Sequence, residues 1–281
     1  MRRNFNNKAG LDINFFIEGI VTMAKQWTAQ EVLDFARSFQ PACVLTAAAA
    51  LDVFSPLRAR PMTAGVLADE LGTDPRATTV LLDALAALQF LSKQGEKYSV
   101  PDDVAGLLAE QSADNVLPMV RHMANSLRRW VELPEVTRTG KCAQTGPSIR
   151  GEDADREDFI GAMNIISKPV AAGVIDKIRP FGFRRMLDIG GGPGTWTIAF
   201  LRAVPEAGAT LFDLPEVIPI AEQQFAEAGL SDRVTLVGGD YYTDALPEGA
   251  DLAWLGAICH QNSRPQNRDL FGKVHAALAN D

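Results

Sequence analysis

The residues best suited to chemistry stand directly after predicted strands in the second half of the chain. A glycine loop, Asp-Ile-Gly-Gly-Gly-Pro-Gly over residues 188–194, begins at the end of the first of these strands with Asp188. Asp213 ends the next predicted strand, and Asp240 follows the third. Because an open parallel sheet binds its ligands at the carboxyl ends of its strands, we expect these three acids and the loop to share one site.

The loop and Asp213 have the spacing of a nucleotide-binding unit. Gly190, Gly192 and Gly194 allow the backbone to turn tightly and to approach a ligand closely. Asp213 lies 23 residues after Gly190, where such a unit carries the acid that accepts ribose hydroxyls. A glycine loop by itself is also typical of a plain strand-to-helix turn, and the acid at this spacing favours a binding site.

The charges around the loop distinguish between two cofactor classes. A dinucleotide-binding fold uses its glycine loop to hold a pyrophosphate at a helix N-terminus, but residues 188–195 contain no Lys or Arg. S-adenosylmethionine has no phosphate, and its ammonium, sulfonium and adenine amine all favour acceptors. Asp188, Asp213 and Asp240 supply acceptors, so the sequence predicts S-adenosylmethionine as the cofactor and disfavours a dinucleotide.

A candidate general base follows the fourth predicted strand. His260 stands in Ala-Ile-Cys-His, residues 257–260, at a strand end that faces the same crevice. A phenol has a pKa of about 10 and histidine one of about 6.5, so histidine is suited to removing the proton of a methyl-accepting hydroxyl. The alternative is a histidine that only bonds within its loop. His122 and His275 belong to no motif.

The secondary-structure elements that position these residues form two regions with different sequence patterns. Residues 28–100 are predicted to form helices, the first of which starts at a capping box of Thr28 and Glu31. A later helix is expected to start at Asp74-Pro75 and to bury an apolar stripe of Val80, Leu81, Ala84, Leu85 and Leu88. A hairpin around residues 94–96 follows, and this is the winged-helix arrangement. Residues 158–178 have helical spacing, and 134–155 read as a loop. From residue 185, strands and helices alternate, which indicates a parallel Rossmann-like sheet. We therefore expect an extension without regular structure at 1–27, a winged-helix domain at 28–110, a helical connector at 111–180 and a cofactor-binding α/β domain at 181–281.

Composition narrows the function classes. The chain has 281 residues, 47% of them hydrophobic, and a formal charge of −8, which disfavours nucleic acid as a partner. Its three cysteines, Cys43, Cys142 and Cys259, are far apart, which predicts free thiols and no metal site. No stretch reads as the roughly 20 apolar residues that span a bilayer. These observations favour a cytoplasmic protein without a membrane partner.

The motifs together resemble those of the plant- and bacterial-type O-methyltransferases, the relatives of caffeate, acetylserotonin and polyketide O-methyltransferases. The segments that carry the resemblance are Leu-Asp-Ile-Gly-Gly-Gly-Pro-Gly at 187–194, Phe-Asp-Leu-Pro-Glu-Val-Ile at 212–218 and Gly-Asp-Tyr-Tyr at 239–242. The N-terminal half is similar to the winged-helix dimerisation domain of that family. The resemblance covers about residues 28–280 and implies a class I methyltransferase sheet, a homodimer and a small hydroxylated substrate.

The resemblance also implies roles for individual residues. Asp213 would hold the ribose and Asp240 the adenine amine, with Leu214 and Tyr241 on either side of the adenine ring. Gly190 and Gly192 would pass beside the methionine part, and Ser167 would lie near its carboxylate. Phe159, Met163 and Gln261 would contact the substrate, and His260 would be the base. The alternative for Phe159 and Met163 is an apolar stripe that only packs its helix.

Several features depart from the family pattern. His260-Gln261-Asn262 replaces the usual His-Asp-Trp or His-Asn-Trp, and Gly256 replaces a lysine of the plant members. The sheet is expected to be incomplete at the C-terminus, where the acidic partners of the histidine would lie. Residues 1–22 either belong to the protein or precede a start at Met23. Two other functions remain open: a winged-helix transcription regulator that senses a ligand, and an inactive cofactor-binding fragment.

Overall fold

The structure, a computed structural model, describes residues 25–109, 114–178 and 182–278. Most of the expected N-terminal extension, and the question of residues 1–22, lie outside the described residues. The chain divides into a short unit up to Ala42 and a large unit from Cys43. The elements are α1 Ala29–Arg37, α2 Phe39–Ala50, α3 Phe54–Ala59, β1 Met62–Thr63, α4 Ala64–Leu71, α5 Pro75–Ala87, β2 Ser92–Gln94, β3 Lys97–Ser99, α6 Asp102–Leu108, α7 Leu117–Trp130, α8 Leu133–Thr139, α9 Glu152–Ile178, β4 Arg185–Ile189, α10 Thr195–Ala203, β5 Gly208–Asp213, α11 Ile218–Ala228, β6 Val234–Gly238, β7 Leu252–Trp254 and α12 Arg264–Ala277.

The predicted capping box begins α1 in the short unit. The Thr28 hydroxyl accepts the N–H of Glu31 at 3.2 Å, and the Glu31 carboxylate accepts the N–H of Thr28 at 2.9 Å. These bonds satisfy donors that the first turn of a helix cannot pair internally. The capping-box prediction is confirmed. α1 leaves Val32, Leu33 and Phe35 about half exposed.

The predicted hairpin is part of a three-stranded antiparallel sheet of order β1-β3-β2. β2 and β3 pair through Lys93 and Tyr98 across the turn at Gly95, as predicted. Tyr98 is buried, and its hydroxyl donates to Asp83 of α5 at 2.7 Å. The helices and this sheet form the winged-helix arrangement, but β1 and the short α3 are additions that the sequence pattern did not predict.

α5 begins as predicted but turns a different face to the core. Asp74 caps it by accepting the N–H of Ala77 at 2.7 Å, and Pro75 is its first residue. The stripe read from the sequence placed Val80 inside, yet Val80 is 64% exposed and Leu82 is fully buried. That part of the interpretation is wrong, because several apolar stripes fit an alanine- and leucine-rich helix equally well.

The region between the two sheets contains more helix than predicted. α8 and the first turn of α9 occupy residues that were expected to form a loop. The expectation relied partly on proline, but proline is compatible with the first turn of a helix, which is where α8 has one. α9 is long and apolar enough to cross a membrane by length and composition alone, which is weak evidence. It contains Pro169 and the buried Asp158, and it packs against α7 and α10.

The second half forms a parallel sheet of order β6-β5-β4-β7. β4 lies between β5 and β7, and the register pairs Asp188 with Leu211 on one side and with Trp254 on the other. Successive residues of β4 point to opposite faces: Met186 joins a core with α10 and α11, and Leu187 joins a core with α12. This is the predicted Rossmann-like architecture, with helices on both faces of a parallel sheet. It brings the carboxyl ends of all four strands to one edge.

Candidate functional site

A cavity of about 540 Å³ lies at the carboxyl edge of the parallel sheet, under α9. This volume is in the range of small-molecule binding sites. Every predicted site residue except Asp188 and His260 lines it. The predicted residues that line the cavity are Phe159, Met163, Ser167, Gly190, Gly192, Asp213, Leu214, Asp240, Tyr241 and Gln261. The tertiary structure therefore joins segments that are up to 102 positions apart in the sequence.

The glycine loop turns through three left-handed residues, Gly190, Gly192 and Gly194. A β-carbon at Gly194 would overlap the ring of Phe225, whereas one at Gly192 would meet no atom within 4 Å. Gly194 is therefore required both for its backbone angle and for the close packing of α11, and Gly192 presents open backbone to the cavity. Such open backbone is what a ligand lying against the loop needs.

Asp213 connects the loop to the end of β5. Its two carboxylate oxygens accept the N–H groups of Gly192 and Leu214, each at 2.7 Å. Burial raises the pKa of Asp213, and these two N–H donors oppose that rise. A carboxylate has about four acceptor positions, so two remain for donors in the cavity. The arrangement suits a pair of ribose hydroxyls.

Asp188 lies beneath the loop and does not reach the cavity. Its side chain is 1% exposed and accepts the hydroxyl of Thr197 at 2.7 Å. A β-carbon at Gly191 would come within 2.9 Å of its carboxyl carbon, so the loop covers it. Burial raises the pKa of Asp188 to about 7. Its place in the structure supports the loop, and direct contact with a cofactor stays a prediction.

The turn after β6 holds Asp240 and two tyrosine rings. One Asp240 oxygen accepts the N–H of Tyr242 at 2.8 Å, and the N–H of Asp240 donates to Asp244 at 2.8 Å. The rings of Tyr241 and Tyr242 contact each other with centroids 4.5 Å apart. Lys273 of α12 donates to the backbone oxygens of both tyrosines. A flat ring bound here would have an acceptor and an aromatic surface beside it.

One face of α9 closes the cavity from above. Phe159, Met163 and Ser167 stand four residues apart on this face. The neighbouring buried Asp158 accepts from Arg150 at 3.3 Å, and Asn164 accepts the hydroxyl of Thr195 at 2.7 Å. These bonds hold the helix at both ends of the lining segment. They fix the position of this part of α9 over the cavity.

The segment after β7 is less enclosed. Ala257 has a left-handed backbone with φ of 57°, and a short 3₁₀ helix, Cys259–Gln261, follows. Gln261 lines the cavity and donates to the hydroxyl of Tyr241 at 2.7 Å. His260 is exposed and, within the described part of the chain, is not among the residues that line the cavity. The structure thus places Gln261 at the cavity and His260 beside it.

Sequence reasoning missed two prominent lining residues, Arg156 and Trp196. Arg156 lies with its Nε 4.0 Å from a carboxylate oxygen of Glu216. It precedes Met163 by seven residues, so extending the helical stripe by one turn would have found it. Trp196 is the second residue of α10, and no spacing marks it. Only the packing of α10 against β7 brings its ring to the cavity.

Comparison with known proteins gives two matching family models and several similar sequences. Residues 146–281 match the O-methyltransferase domain, and residues 33–109 match the O-methyltransferase dimerisation domain. The tetracenomycin polyketide synthesis 8-O-methyl transferase TcmO of Streptomyces glaucescens is 30% identical over 254 residues, which are 88% of this chain and 75% of that protein. The 3-hydroxy-5-methyl-1-naphthoate 3-O-methyltransferase of Streptomyces sahachiroi is 29% identical over 250 residues, 87% of this chain and 72% of that protein.

A solved structure of PigF with S-adenosylhomocysteine superimposes with a TM-score of 0.76 at 26% identity. The superposition covers 90% of this chain and 78% of that one. The similarity therefore spans both the helical N-terminal half and the parallel sheet.

Proposed function

Because the chain belongs to the O-methyltransferase family and is an S-adenosylmethionine-dependent methyltransferase, we propose that it methylates a hydroxyl of a small aromatic or polyketide-like molecule. The observation that carries this proposal is the single cavity shared by Asp213, Asp240, the α9 wall and Gln261. It offers acceptors for a cofactor on one side and apolar surface for a ring on the other. Family membership favours the enzyme over the ligand-sensing regulator.

The residues at the strand ends fit the cofactor. Asp213 would accept the ribose hydroxyls with its two remaining acceptor positions, and Asp240 would accept the adenine amine. Leu214 and Tyr241 would hold the adenine ring between them. Gly192 leaves open backbone for the methionine part, beside Gly190 on the same cavity wall, and Ser167 would bond its carboxylate. Asp188 would fix the loop from below.

Bound S-adenosylmethionine supplies an electrophilic methyl group on a sulfonium, so the protein must align the acceptor and remove its proton. We assign the proton transfer to His260. Its short 3₁₀ helix also carries Gln261, which lies in the cavity wall. The role requires the imidazole to come within about 3 Å of the acceptor hydroxyl, so His260 must turn toward the cavity when substrate binds. Gln261 would orient the same substrate by a hydrogen bond.

The acceptor is proposed from the wall and from the named relatives. Phe159, Met163 and Trp196 present apolar side chains to the cavity, and planar rings suit such surfaces. The Streptomyces sahachiroi relative is named for 3-hydroxy-5-methyl-1-naphthoate, which is therefore the first acceptor to test. We refer to it below as the naphthoate.

The assembly and the domain division complete the proposal. Residues 28–110 would form the dimerisation domain of a cytoplasmic homodimer, residues 111–180 the connector that covers the substrate, and residues 181–281 the cofactor domain. The dimerisation-domain match at residues 33–109 supports this division. The half-exposed apolar side chains of α1 supply surface for a second copy. Sedimentation of the purified chain tests the dimer.

Methyl transfer tests the function directly. The protein is incubated with S-adenosylmethionine and the naphthoate, and mass spectrometry follows the gain of one methyl group and the formation of S-adenosylhomocysteine. The control acceptor is the 3-methoxy form of the naphthoate, which has no free hydroxyl. Methylation of the naphthoate alone supports the proposal. Equal product from both acceptors, or none from any hydroxylated ring in a panel, contradicts it.

A further inference from the structure

Two tryptophans stand at the end of the cavity that the cofactor assignment leaves unexplained. Trp196 of α10 lines the cavity, and Trp254 ends β7. Their rings contact each other with centroids 5.1 Å apart, and Phe200 packs against Trp254 from the other side at 5.0 Å. The three rings form a column from the protein core to the cavity wall.

The indole nitrogen of Trp254 is buried and has no hydrogen-bond partner among the described residues. An indole N–H can only donate, and buried donors in proteins are nearly always paired. Elsewhere in the described residues no other buried side-chain nitrogen or oxygen lacks a partner. An orphan donor next to a binding cavity therefore indicates a group that meets its acceptor when a ligand is bound.

Gly256 creates the space in which both indoles meet. A β-carbon at Gly256 would lie 3.0 Å from the nitrogen of Trp254 and 3.1 Å from that of Trp196. Both N–H groups are thus close to the same point beside Gly256, which itself lines the cavity. Any larger residue would push the two rings away. Glycine at this position lets the two indole nitrogens come close together, with Trp196 in the cavity wall and Trp254 buried behind it.

The two tryptophans lie at a different place along the sheet from the proposed adenosine site. The strand order is β6-β5-β4-β7, with Asp240 after β6, Asp213 at the end of β5 and the glycine loop after β4. Trp254 and Gly256 belong to β7 and the segment after it, on the opposite side of β4. A cofactor that extends from Asp240 toward the glycine loop would direct its reactive end toward this side.

We propose that Trp196 and Trp254 form a donor pair that recognises a second oxygen, a carbonyl or carboxylate, on a planar aromatic methyl acceptor. This inference rests on the proposed function and narrows its substrate class. Trp196 lies at the cavity surface and meets the acceptor first, both by stacking and through its N–H. Trp254 supports the Trp196 ring from behind and donates when that ring shifts. Acceptors with a lone hydroxyl would bind without this contribution.

Variants that keep the ring and remove the donor test the pair. Trp196→Phe and Trp254→Phe are compared with Trp130→Phe, which changes an exposed ring on α7. Calorimetry on the protein loaded with S-adenosylhomocysteine measures the affinity for the naphthoate and for 2-naphthol, which has no second oxygen. We expect each donor variant to weaken naphthoate binding about 3- to 10-fold, the size of one net hydrogen bond, with 2-naphthol changed less than about 2-fold and Trp130→Phe neutral.

Other outcomes overturn the inference in distinguishable ways. An equal loss for the naphthoate and 2-naphthol assigns the rings to stacking alone. A loss of S-adenosylhomocysteine affinity in the donor variants assigns the pair to the cofactor carboxylate, the other available oxygen. If both donor variants bind the naphthoate with the affinity of the wild-type chain, the inference alone fails. If the wild-type chain binds neither the naphthoate nor 2-naphthol, the proposed substrate class fails with it.

A measurement on the unmodified protein guards against variants that do not fold. With ¹⁵N-labelled tryptophan, each indole N–H gives one NMR signal, and an acceptor oxygen moves that signal downfield. The naphthoate added to the S-adenosylhomocysteine-loaded protein is expected to move the signals of Trp196 and Trp254 and to leave those of Trp27 and Trp130 in place. Naphthoate binding without a change at either cavity tryptophan contradicts the proposal.

Discussion

The ends of β4 and β5 and the segment after β7 border the same cavity, yet their side chains are held in different ways. Asp188 and Asp213 are largely buried and are fixed by short hydrogen bonds within and around the glycine loop. His260 and Gln261 are exposed, and Gln261 is held by one bond to another side chain, Tyr241. Asp213 is bonded to backbone N–H groups and Asp188 to a buried side chain, whereas Gln261 is bonded to the side chain of Tyr241, which can rotate.

This difference matches the two tasks of a transferase. S-adenosylmethionine and its product S-adenosylhomocysteine present the same adenosine part in every cycle, so rigid acceptors beside a covered loop suit it. The side proposed for the methyl acceptor has to bring a base next to the acceptor hydroxyl, and exposed side-chain bonds allow that rearrangement at small cost. Changes on the cofactor side should therefore alter binding and folding. Changes after β7 should alter turnover and selectivity.

The largest expected effect is on turnover. His260→Ala should lower kcat with the naphthoate about 100- to 10,000-fold, the usual contribution of a general base, while the affinity for S-adenosylhomocysteine stays the same. Calorimetry and a product assay measure the two quantities. His275→Ala, which changes an exposed histidine of α12, is the control. Turnover that survives His260→Ala would remove the base role and leave Gln261 as the nearer polar group.

Asp213→Ala should have the next largest effect, on cofactor binding. It removes the acceptor for the N–H groups of Gly192 and Leu214 and the proposed ribose contact, and charged hydrogen bonds are worth about 1.5–3 kcal/mol each. We expect the affinity for S-adenosylhomocysteine to fall about 100-fold. Asp232→Ala, an exposed acid before β6, should bind normally. Tight binding by Asp213→Ala would show that the ribose is held elsewhere.

Alanine substitutions at two glycines of the loop distinguish the cost of a steric overlap from the cost of backbone strain. Gly194→Ala should lower the free energy of unfolding by about 2–4 kcal/mol, because its methyl group meets Phe225 in addition to the left-handed strain. Gly192→Ala has a similar backbone but open space, so we expect only about 1–2 kcal/mol. Denaturant unfolding compares them. Equal losses would mean that the loop is less tightly packed on α11 than the structure indicates.

The effect of Asp188 on stability is expected to depend on pH. Its pKa is raised to about 7 by burial, so its contribution to stability is fully present below the unfolded pKa, near 4, and is lost as the pH rises toward 7. Asp188→Asn cannot titrate. Relative to wild type, its free energy of unfolding should therefore rise with pH over this window, by roughly 1 kcal/mol per pH unit, and level off above pH 7.

Asp251 provides a contrast of opposite sign. Burial opposes its ionisation, but the N–H groups of Arg185 and Arg184 bond its carboxylate and lower its pKa below the usual value. Its stabilisation is therefore present at neutral pH and is lost only in acid. The difference between Asp251→Asn and wild type should change below about pH 4. A change of the Asp188→Asn difference in that acid range alone would contradict the assignment of a raised pKa.

Much of the cofactor side could be predicted from local sequence. Gly190, Gly192 and Asp213 were recognisable because a strand, a tight turn and an acid at fixed spacing are set by short-range geometry. The alternation of strands and helices then implied a parallel sheet with its strand ends at one edge. The capping box at Thr28 and the hairpin near Gly95 were recognisable for the same reason.

Other features depend on contacts between distant segments and left no local signal. Val80 was expected inside and is exposed, because the face that α5 buries is chosen by its neighbours. Asp188 was expected to meet the cofactor and lies beneath the loop, since Gly191 covers it. Trp196 has no motif, and only its packing against Trp254 beside Gly256 makes it part of the cavity.

The amino-acid sequence by itself determined the class of fold and the cofactor, and it predicted the strand ends at which that cofactor would bind, because these follow from periodicity, turn chemistry and charge within short segments. The tertiary structure alone decided which side chains face the shared cavity. In the folded chain Trp196 and Gln261 line the cavity, Asp188 lies beneath the glycine loop and His260 lies beside the cavity. Those outcomes depend on side-chain packing between α9, α10 and β7, and packing is a property of three-dimensional neighbours that no single segment encodes.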